Sequence, residues 1–408
     1  MKRNFTRIIY TSISLAFFTL SGIAVSAQIT NSYIHTAEQY YKKGDYYSAA
    51  KYYEKYLNGE GSAKSSVMPY NALGNPDEKH APKLSREEII YKVGESYQYL
   101  NNFEKAEPYL KDAVAFGAKF PLARYLYAKS LRAGSKFEEA KMELDHFLQD
   151  YKIEDKYSNE AKKELLNLAY LQKAATAKDA QLVTIKKLPV NIAGATSAPS
   201  VIDSMIFFSS TRQVEGENKS RHTNKLFSAN LFDTSLAEPS RLKIFQGESE
   251  QFEGASFAND GKRMYVTKWS VINNKKLAAI YLYIKGPERW GNPERLGTLV
   301  NTSAYSAQQP YVTPDGSKLY FASDRPGGAG GFDIWVALLN GEGLPWKTIN
   351  LGAAINSKGD EVAPFFHSST NTLVFSTNGR TGIGGFDFFK AELKGDEWAE
   401  PVNLGYPV

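Results

Sequence analysis

Small and aromatic side chains recur along the first 180 residues with the rhythm of helices and a period of 34. Gly94 and Ala128, Tyr97 and Leu131, Phe103 and Phe137, and Ala106 and Ala140 are each 34 positions apart. An earlier copy of the pattern carries Ala37, Tyr40, Gly44, Tyr46, Ala49 and Tyr53. A small residue at a fixed place on a helix lets a second helix approach closely, and aromatics between the small positions fill the groove. The pattern therefore predicts stacked helix pairs. Ala37, Gly94 and Ala128 mark the first helices, Ala49, Ala106 and Ala140 the second, and Gly44 and Gly134 the turns between them. A stretch from Ser158 with apolar positions Leu165, Leu166, Ala169 and Leu171 predicts a closing helix. Two features depart from the pattern. A polar insert, Asn58 to Lys79, separates the first two pairs, and Pro108 falls inside a second helix, where it costs a hydrogen bond and favours a kink.

Between Ala174 and Gln181 the helical rhythm stops and alternation begins. Residues 1–180 hold 8 of the 31 glycines and 5 of the 17 prolines, so the remainder holds 23 and 12. Strand-turn folds use both residues at their corners, and helices avoid them. The second part repeats as well. Pro199, Ala255, Pro310 and Pro364 occupy equivalent positions, 56, 55 and 54 apart, and Phe208, Val266, Phe321 and Phe375 mark the strand that follows. A third strand reads NKLFSANL, AAIYLYI, FDIWVAL and FDFFKAEL, and a fourth ends in ERLGTLVN, KTINLGAAIN and EPVNLGYPV. Asn259-Asp260-Gly261 and Pro314-Asp315-Gly316 supply hairpin turns between the first two strands. Units of about 54 residues with four short strands in tandem describe the blades of a β-propeller.

The run SDRPGGAGGFDIW, Ser323 to Trp335, could be a phosphate cradle, an ion loop or a hairpin. Its Gly330, Gly331, Phe332 and Asp333 recur 54 residues later as Gly384, Gly385, Phe386 and Asp387. Recurrence in step with the blades marks it as blade construction, with Arg325 and Asp333 expected to pair across the hairpin. A phosphate loop would lead from a strand into a helix with Lys-Ser/Thr, which the sequence lacks. A lesser alternative is a Ca²⁺ role for Asp324 or Asp333. Gln181 to Asn191 reads as a fourth strand without the three before it. Together with four complete units it suggests a five-bladed ring whose remaining strands would follow Val408.

Composition narrows the chemistry. With net charge +5 and no Lys/Arg block past the N-terminus, nucleic acid is not indicated. Zero cysteines exclude disulfides, thiolate metal sites and thiol catalysis. Residues 1–27 read as a secretory signal peptide: Lys2, Arg3 and Arg7 lead, Ile13 to Val25 is the apolar run, and Val25-Ser26-Ala27 precedes a cut at Gln28. A membrane anchor is the competing reading, but the run is short for a span, and no later segment reaches the length a span needs. His35, His80, His146, His222 and His367 lack metal-ligand spacing, so no metal or other cofactor is expected. No GxSxG elbow is present. Glu248, Glu250 and Glu253 read as a solvated acidic loop. An enzyme is not expected.

The first part resembles the tetratricopeptide repeat over about 120 residues. The second resembles the WD-like repeats of TolB-type periplasmic propellers. The order of the two resembles the PorE-like group of OmpA-family envelope proteins of Bacteroidetes, associated with type IX secretion. The resemblance implies an α + β, two-domain chain: 28–178 helical repeats, 181–408 propeller. It also implies a periplasmic, outer-membrane-associated scaffold for other envelope proteins. In that group a peptidoglycan-binding OmpA-like domain follows the propeller, and this sequence lacks it. Carrying the repeat family's groove positions over selects Tyr41, Tyr91, Glu95, Gln98, Tyr99, Tyr125, Lys129 and Arg132 as partner-binding residues, although some of these tyrosines could instead pack between repeats. A glycan-binding or glycan-hydrolysing propeller is the alternative function.

Overall fold

The computed structural model describes residues 33–59, 84–175, 184, 195–212, 223–231, 239–244, 250–273 and 275–405. The signal-peptide stretch, most of the polar insert, the lone strand at 181–191 apart from Thr184, and His80, His222 and Glu248 lie outside the described residues. The chain divides into two compact units, Met1–Leu168 and Ala169–Val408.

The described part of the first unit is built from seven helices: α1 (33–42), α2 (Tyr46–Leu57), α3 (Arg86–Tyr99), α4 (Phe103–Ala115), α5 (Ala123–Ala133), α6 (Phe137–Asp150) and α7 (Lys156–Ala175), the last running past the division. They pair as the 34-residue period predicts, in the architecture of tetratricopeptide repeats. Asp45 caps α2 by accepting the Ser48 N–H at 3.0 Å, and Asn102 caps α4 from Lys105 at 3.3 Å. At α3 the cap is reciprocal. The Ser85 hydroxyl accepts the Glu88 N–H at 3.2 Å, and the Ser85 N–H donates to the Glu88 carboxylate at 2.6 Å. These bonds hold the Glu88 carboxyl below the usual range. Ser85→Ala is expected to cost about 1 kcal/mol, read as a lower midpoint for loss of the helical signal in urea.

The small positions do what their spacing predicts. Ala37, Ala49, Ala106, Ala128 and Ala140 are all in the core with Tyr53, Leu110, Leu131, Leu144 and Phe147. At Gly94 a Cβ would lie 2.7 Å from Leu110 Cγ. Pro108 stands inside α4 on its exposed side, where the hydrogen bond it cannot make is replaceable by water. The closing helix differs from expectation in its face. It starts at Lys156, with Asp155 accepting the N–H groups of Tyr157 at 2.9 Å and Ser158 at 3.1 Å. From that start the 3-4-3 spacing buries Ser158, Ala161 and Leu168 and half-buries Leu165, and leaves Leu166 60 % exposed.

The second unit is four small antiparallel sheets arranged as propeller blades, each in the order of its strands. They are β1 (Thr196–Ile202), β2 (Met205–Ser210), β3 (Lys225–Asn230) and β4 (Ser240–Arg241); β5 (Gln251–Phe257), β6 (Arg263–Ile272), β7 (Lys275–Ile284) and β8 (Glu294–Arg295); β9 (Ala307–Val312), β10 (Lys318–Ser323), β11 (Asp333–Leu339) and β12 (Pro345–Asn350); and β13 (Glu361–His367), β14 (Thr372–Thr377), β15 (Asp387–Lys394), β16 (Glu397–Trp398) and β17 (Val402–Asn403). The first strands neighbour one another in the sequence β1, β5, β9, β13. Each bulges at one residue with positive φ, namely Ala198, Gly254, Gln309 and Ala363, immediately before the aligned Pro199, Ala255, Pro310 and Pro364. In three of them the bulge N–H is taken by the preceding blade: Ser209 accepts from Gly254 at 2.9 Å, Thr267 from Gln309 at 2.9 Å and Gln309 from Ala363 at 2.8 Å. The bulges thus lock successive blades together.

The fourth strands are shorter than the sequence suggests, because the ends of LVN and AIN fold as turns. Asn301 and Asn356, both buried, reach back to the third strand of their own blade. Asn356 accepts the Ile334 N–H at 2.8 Å and donates to the Ile334 carbonyl at 3.1 Å; Asn301 does the same to Ile280, at 2.8 Å both ways. A side-chain amide therefore replaces the missing strand backbone.

The glycine-rich run is a hairpin between β10 and β11, packed on the loop that leads into β13. The Gly331 N–H donates to the Gly359 carbonyl at 2.8 Å, and the Glu361 N–H to the Phe332 carbonyl at 2.6 Å. A Cβ at Gly330 would sit 2.5 Å from backbone atoms of that loop. The expected Arg325–Asp333 pair does not form. Arg325 lies over the Phe321 and Trp335 rings and donates to the carbonyls of Leu299, at 2.8 Å, and Val300. Asp333 accepts the Ala329 N–H at 2.6 Å and the Asn350 amide at 3.2 Å. Opposite charges adjacent in a hairpin are separated here because carbonyls of the previous blade take the Arg325 guanidinium, while the Ala329 N–H and the Asn350 amide share Oδ2 of Asp333, whose Oδ1 has no hydrogen-bond partner. On the outward face of the last blade Phe388 is 43 % exposed, whereas its counterpart Ile334, which packs against that blade, is 0 % exposed.

Candidate functional site

The first helices of the pairs, α1, α3, α5 and α7, lie side by side, and polar side chains stitch them. Tyr41 on α1 donates to Glu95 on α3. Gln98 on α3 donates to the Leu126 carbonyl at 2.8 Å and to Ser130 at 2.7 Å on α5. On α5, Tyr125 donates to Glu160 and Arg132 to Glu164, both on α7. Spacings of three and four bring 91, 95 and 98 to one side of α3 and 125, 129 and 132 to one side of α5. Six of the eight sequence-selected residues line this face with some surface left. Tyr99 is 55 % exposed, Lys129 is exposed, and Tyr41, Tyr91, Glu95 and Arg132 are half-buried. The other two need correction as partner contacts. Gln98 at 8 % and Tyr125 at 3 % exposure are buried between helices, because their polar ends are the stitches themselves.

Around Glu95 the face is aromatic. Tyr91, one turn earlier on α3, also donates to Glu95, at 3.4 Å. Tyr99 stacks on Tyr46 at 4.2 Å, and Tyr46 meets Tyr41 edge-on at 5.5 Å. Tyr91 stacks on Phe120 at 4.7 Å. Burial first, and then the Glu95 carboxylate, push the Tyr41, Tyr91 and Tyr99 phenols above their ordinary range, so all three stay protonated. Sequence reasoning missed Tyr46 and Phe120, which lie at a helix start and in a turn, off the first-helix pattern that was followed. The cations of the face are mostly committed. Lys92 pairs with Glu38 and sits 4.7 Å over the Tyr41 ring, and Arg132 pairs with Glu164. Lys129 lies 5.6 Å over the Tyr125 ring.

In the propeller, the carboxylates of the recurrent motif hold loops. Asp387 accepts the Ile383 N–H at 2.7 Å, Asp360 the Phe332 N–H at 2.9 Å, and Asp324 the Ser306 N–H at 2.6 Å. Among the described residues no group of three or more His, Cys, Asp or Glu is placed to hold a metal ion. No described helix is long and apolar enough to cross a membrane. From the acidic run, Glu250 pairs with Lys268, and Glu253 accepts from the Trp269 indole at 2.6 Å.

No protein-family model matches the chain, and no curated protein matches it. Several solved structures resemble parts of it. The Arabidopsis OM64 TPR domain is 14 % identical with a TM-score of 0.25, covering 34 % of this chain and 96 % of its own. The first TPR of Spaghetti (RPAP3), bound to the HSP90 peptide SRMEEVD, is 21 % identical with a TM-score of 0.25, covering 35 % and 94 %. An alpha-L-arabinofuranosidase from Lactobacillus brevis is 15 % identical with a TM-score of 0.30, covering 48 % and 68 %. Likenesses at this level carry no argument about activity.

Proposed function

We propose that the protein is a non-catalytic scaffold that captures an extended segment of a protein partner on the first-helix face of its helical unit. The observation that carries this reading is the row of half-buried and exposed tyrosines around Glu95, held rigid by inter-helix hydrogen bonds. Tyrosine offers large contact area at low entropic cost, and a stitched face is already ordered before binding. The propeller offers a second platform, held together by bulge contacts between its blades. The leader-like N-terminal stretch supports an exported, periplasmic and outer-membrane-associated location. The order of helical repeats and propeller supports a place in an envelope complex, with type IX secretion as the specific case and other envelope proteins as partners.

Cross-linking in intact envelopes tests the reading. Tyr99→Ala should weaken capture of the partner at least tenfold, since a central aromatic contact is worth about 2 kcal/mol. The helical melting transition should stay unchanged, because that ring is mostly solvated. Capture undiminished by the substitution, or binding and hydrolysis of glycans by the propeller in place of protein capture, would remove the proposal.

A further inference from the structure

We infer that the partner segment carries an arginine, and that Glu95 in its frame of Tyr41, Tyr91 and Tyr99 receives the guanidinium. This rests on the scaffold reading and adds the charge of the partner to it. Three observations converge. First, Glu95 lies on this face of α3, and among the described residues no lysine or arginine lies within ion-pair distance of it. Its partners are the hydroxyls of Tyr41 and Tyr91. Those hydroxyls orient the carboxylate without neutralising it, because the phenols stay protonated. Second, the neighbouring cations are already paired: Lys92 with Glu38 and Arg132 with Glu164. A face meant to grip an acidic tail would leave several cations unpaired, and among the described residues selected on this face only Lys129 stands without a carboxylate partner, over an aromatic ring. Third, aromatic rings flank the carboxylate on both sides along the face. Tyr99 is exposed and stacked on Tyr46 on one side, and Tyr91 is stacked on Phe120 on the other. A planar guanidinium combines bidentate hydrogen bonding to a carboxylate with stacking on aromatic faces, which a lysine ammonium does less well.

The chain as a whole carries net charge +5, so it does not attract cationic peptides indiscriminately. Selective binding of such a peptide would therefore report a local site.

The test uses the full chain and three dye-labelled, capped peptides: six repeats of Arg-Pro, six of Lys-Pro and six of Glu-Pro. Proline keeps all three extended, and fluorescence anisotropy at near-physiological salt reads the affinity. The arginine peptide should bind at least tenfold more tightly than the glutamate peptide, and more tightly than the lysine peptide. Glu95→Gln, which keeps an acceptor for both tyrosine hydroxyls, should weaken the arginine peptide about tenfold. Glu139→Gln on α6 should leave it unchanged. Equal or stronger binding of the glutamate peptide, no binding of any peptide, or an unchanged affinity in Glu95→Gln overturns the assignment. Should Glu95→Gln lose the helical melting transition, the wild-type ranking of the three peptides decides alone. If the ranking fails while Tyr99→Ala still abolishes capture of the native partner, the charge assignment falls and the scaffold reading stands.

Discussion

Asn356→Ala is expected to destabilise the propeller unit by about 3 kcal/mol, and Asn301→Ala by a similar amount. Each amide is buried and bridges both backbone groups of one residue in a third strand, and each makes a further bond. Asn356 donates to Asn350 at 2.9 Å, and Asn301 to the Leu296 carbonyl at 2.7 Å. The carbonyls of Ile334 and Ile280 keep a second donor, from Leu351 at 3.2 Å and Leu296 at 3.1 Å. The N–H groups of Ile334 and Ile280 keep no such substitute, and alanine leaves each as an unpaired donor in a dry interior. The orphaned donor accounts for most of the cost, since a buried unsatisfied N–H outweighs the net value of the bond that served it. For a unit of this size the loss corresponds to a midpoint lower by about 10 °C, read by near-ultraviolet circular dichroism of the tryptophans, all of which lie in this unit. The helical transition should not move. A propeller midpoint unchanged in both alanine variants would show that the amides are incidental to the blades.

Gly94→Val is expected to destabilise the helical unit by about 3 kcal/mol. The Cβ would lie 2.7 Å from Leu110 Cγ and 2.8 Å from Leu110 Cδ2, and 3.4 Å from the Leu110 backbone nitrogen. Leu110 is fully buried in the core, among close-packed neighbours that resist its displacement. Gain in helix propensity over glycine, below about 1 kcal/mol, does not offset a clash of this depth. The relief valve is Leu110 itself. Gly94→Val combined with Leu110→Ala should cost clearly less than the sum of the two single changes, because one removes the atoms the other strikes. Urea denaturation followed at 222 nm measures all three variants. Strict additivity would mean that the helices separate rather than clash, and that close approach at Gly94 is not what joins α3 to α4.

The two predictions mark opposite ends of what could be read from residues in order. Gly94 announced itself: its equivalents Ala37 and Ala128 are small at the same point of the period, and only a tight helix crossing explains that. Asn356 gave no such notice. Its string was visible as a repeat, but an asparagine near a strand end reads as a turn residue, and nothing local says that its amide will fold back on Ile334. The candidate site divides in the same way. Periodicity on α3 and α5 was enough to place the selected residues, Glu95 and Tyr99 among them, along one face. It could not separate Tyr125, which is buried on Glu160, from Tyr99, which is stacked on Tyr46 but left 55 % exposed, because both occupy groove positions on their helices.

Taken alone, the amino-acid order determined the two architectures, the repeat lengths, the turns at Gly261 and Gly316, and the constructional role of the glycine-rich hairpin. Those features depend on spacing and on side-chain size, which are properties of the chain itself. Only the tertiary structure decided which charges meet. It sent Arg325 to the carbonyls of Leu299 and Val300 rather than to Asp333, turned α7 to bury Leu168 instead of Leu166, and left Glu95 among tyrosines without an ion pair among the described residues. Ion pairing and burial depend on which groups arrive from distant positions and on how much water remains between them, and neither quantity is written in local order.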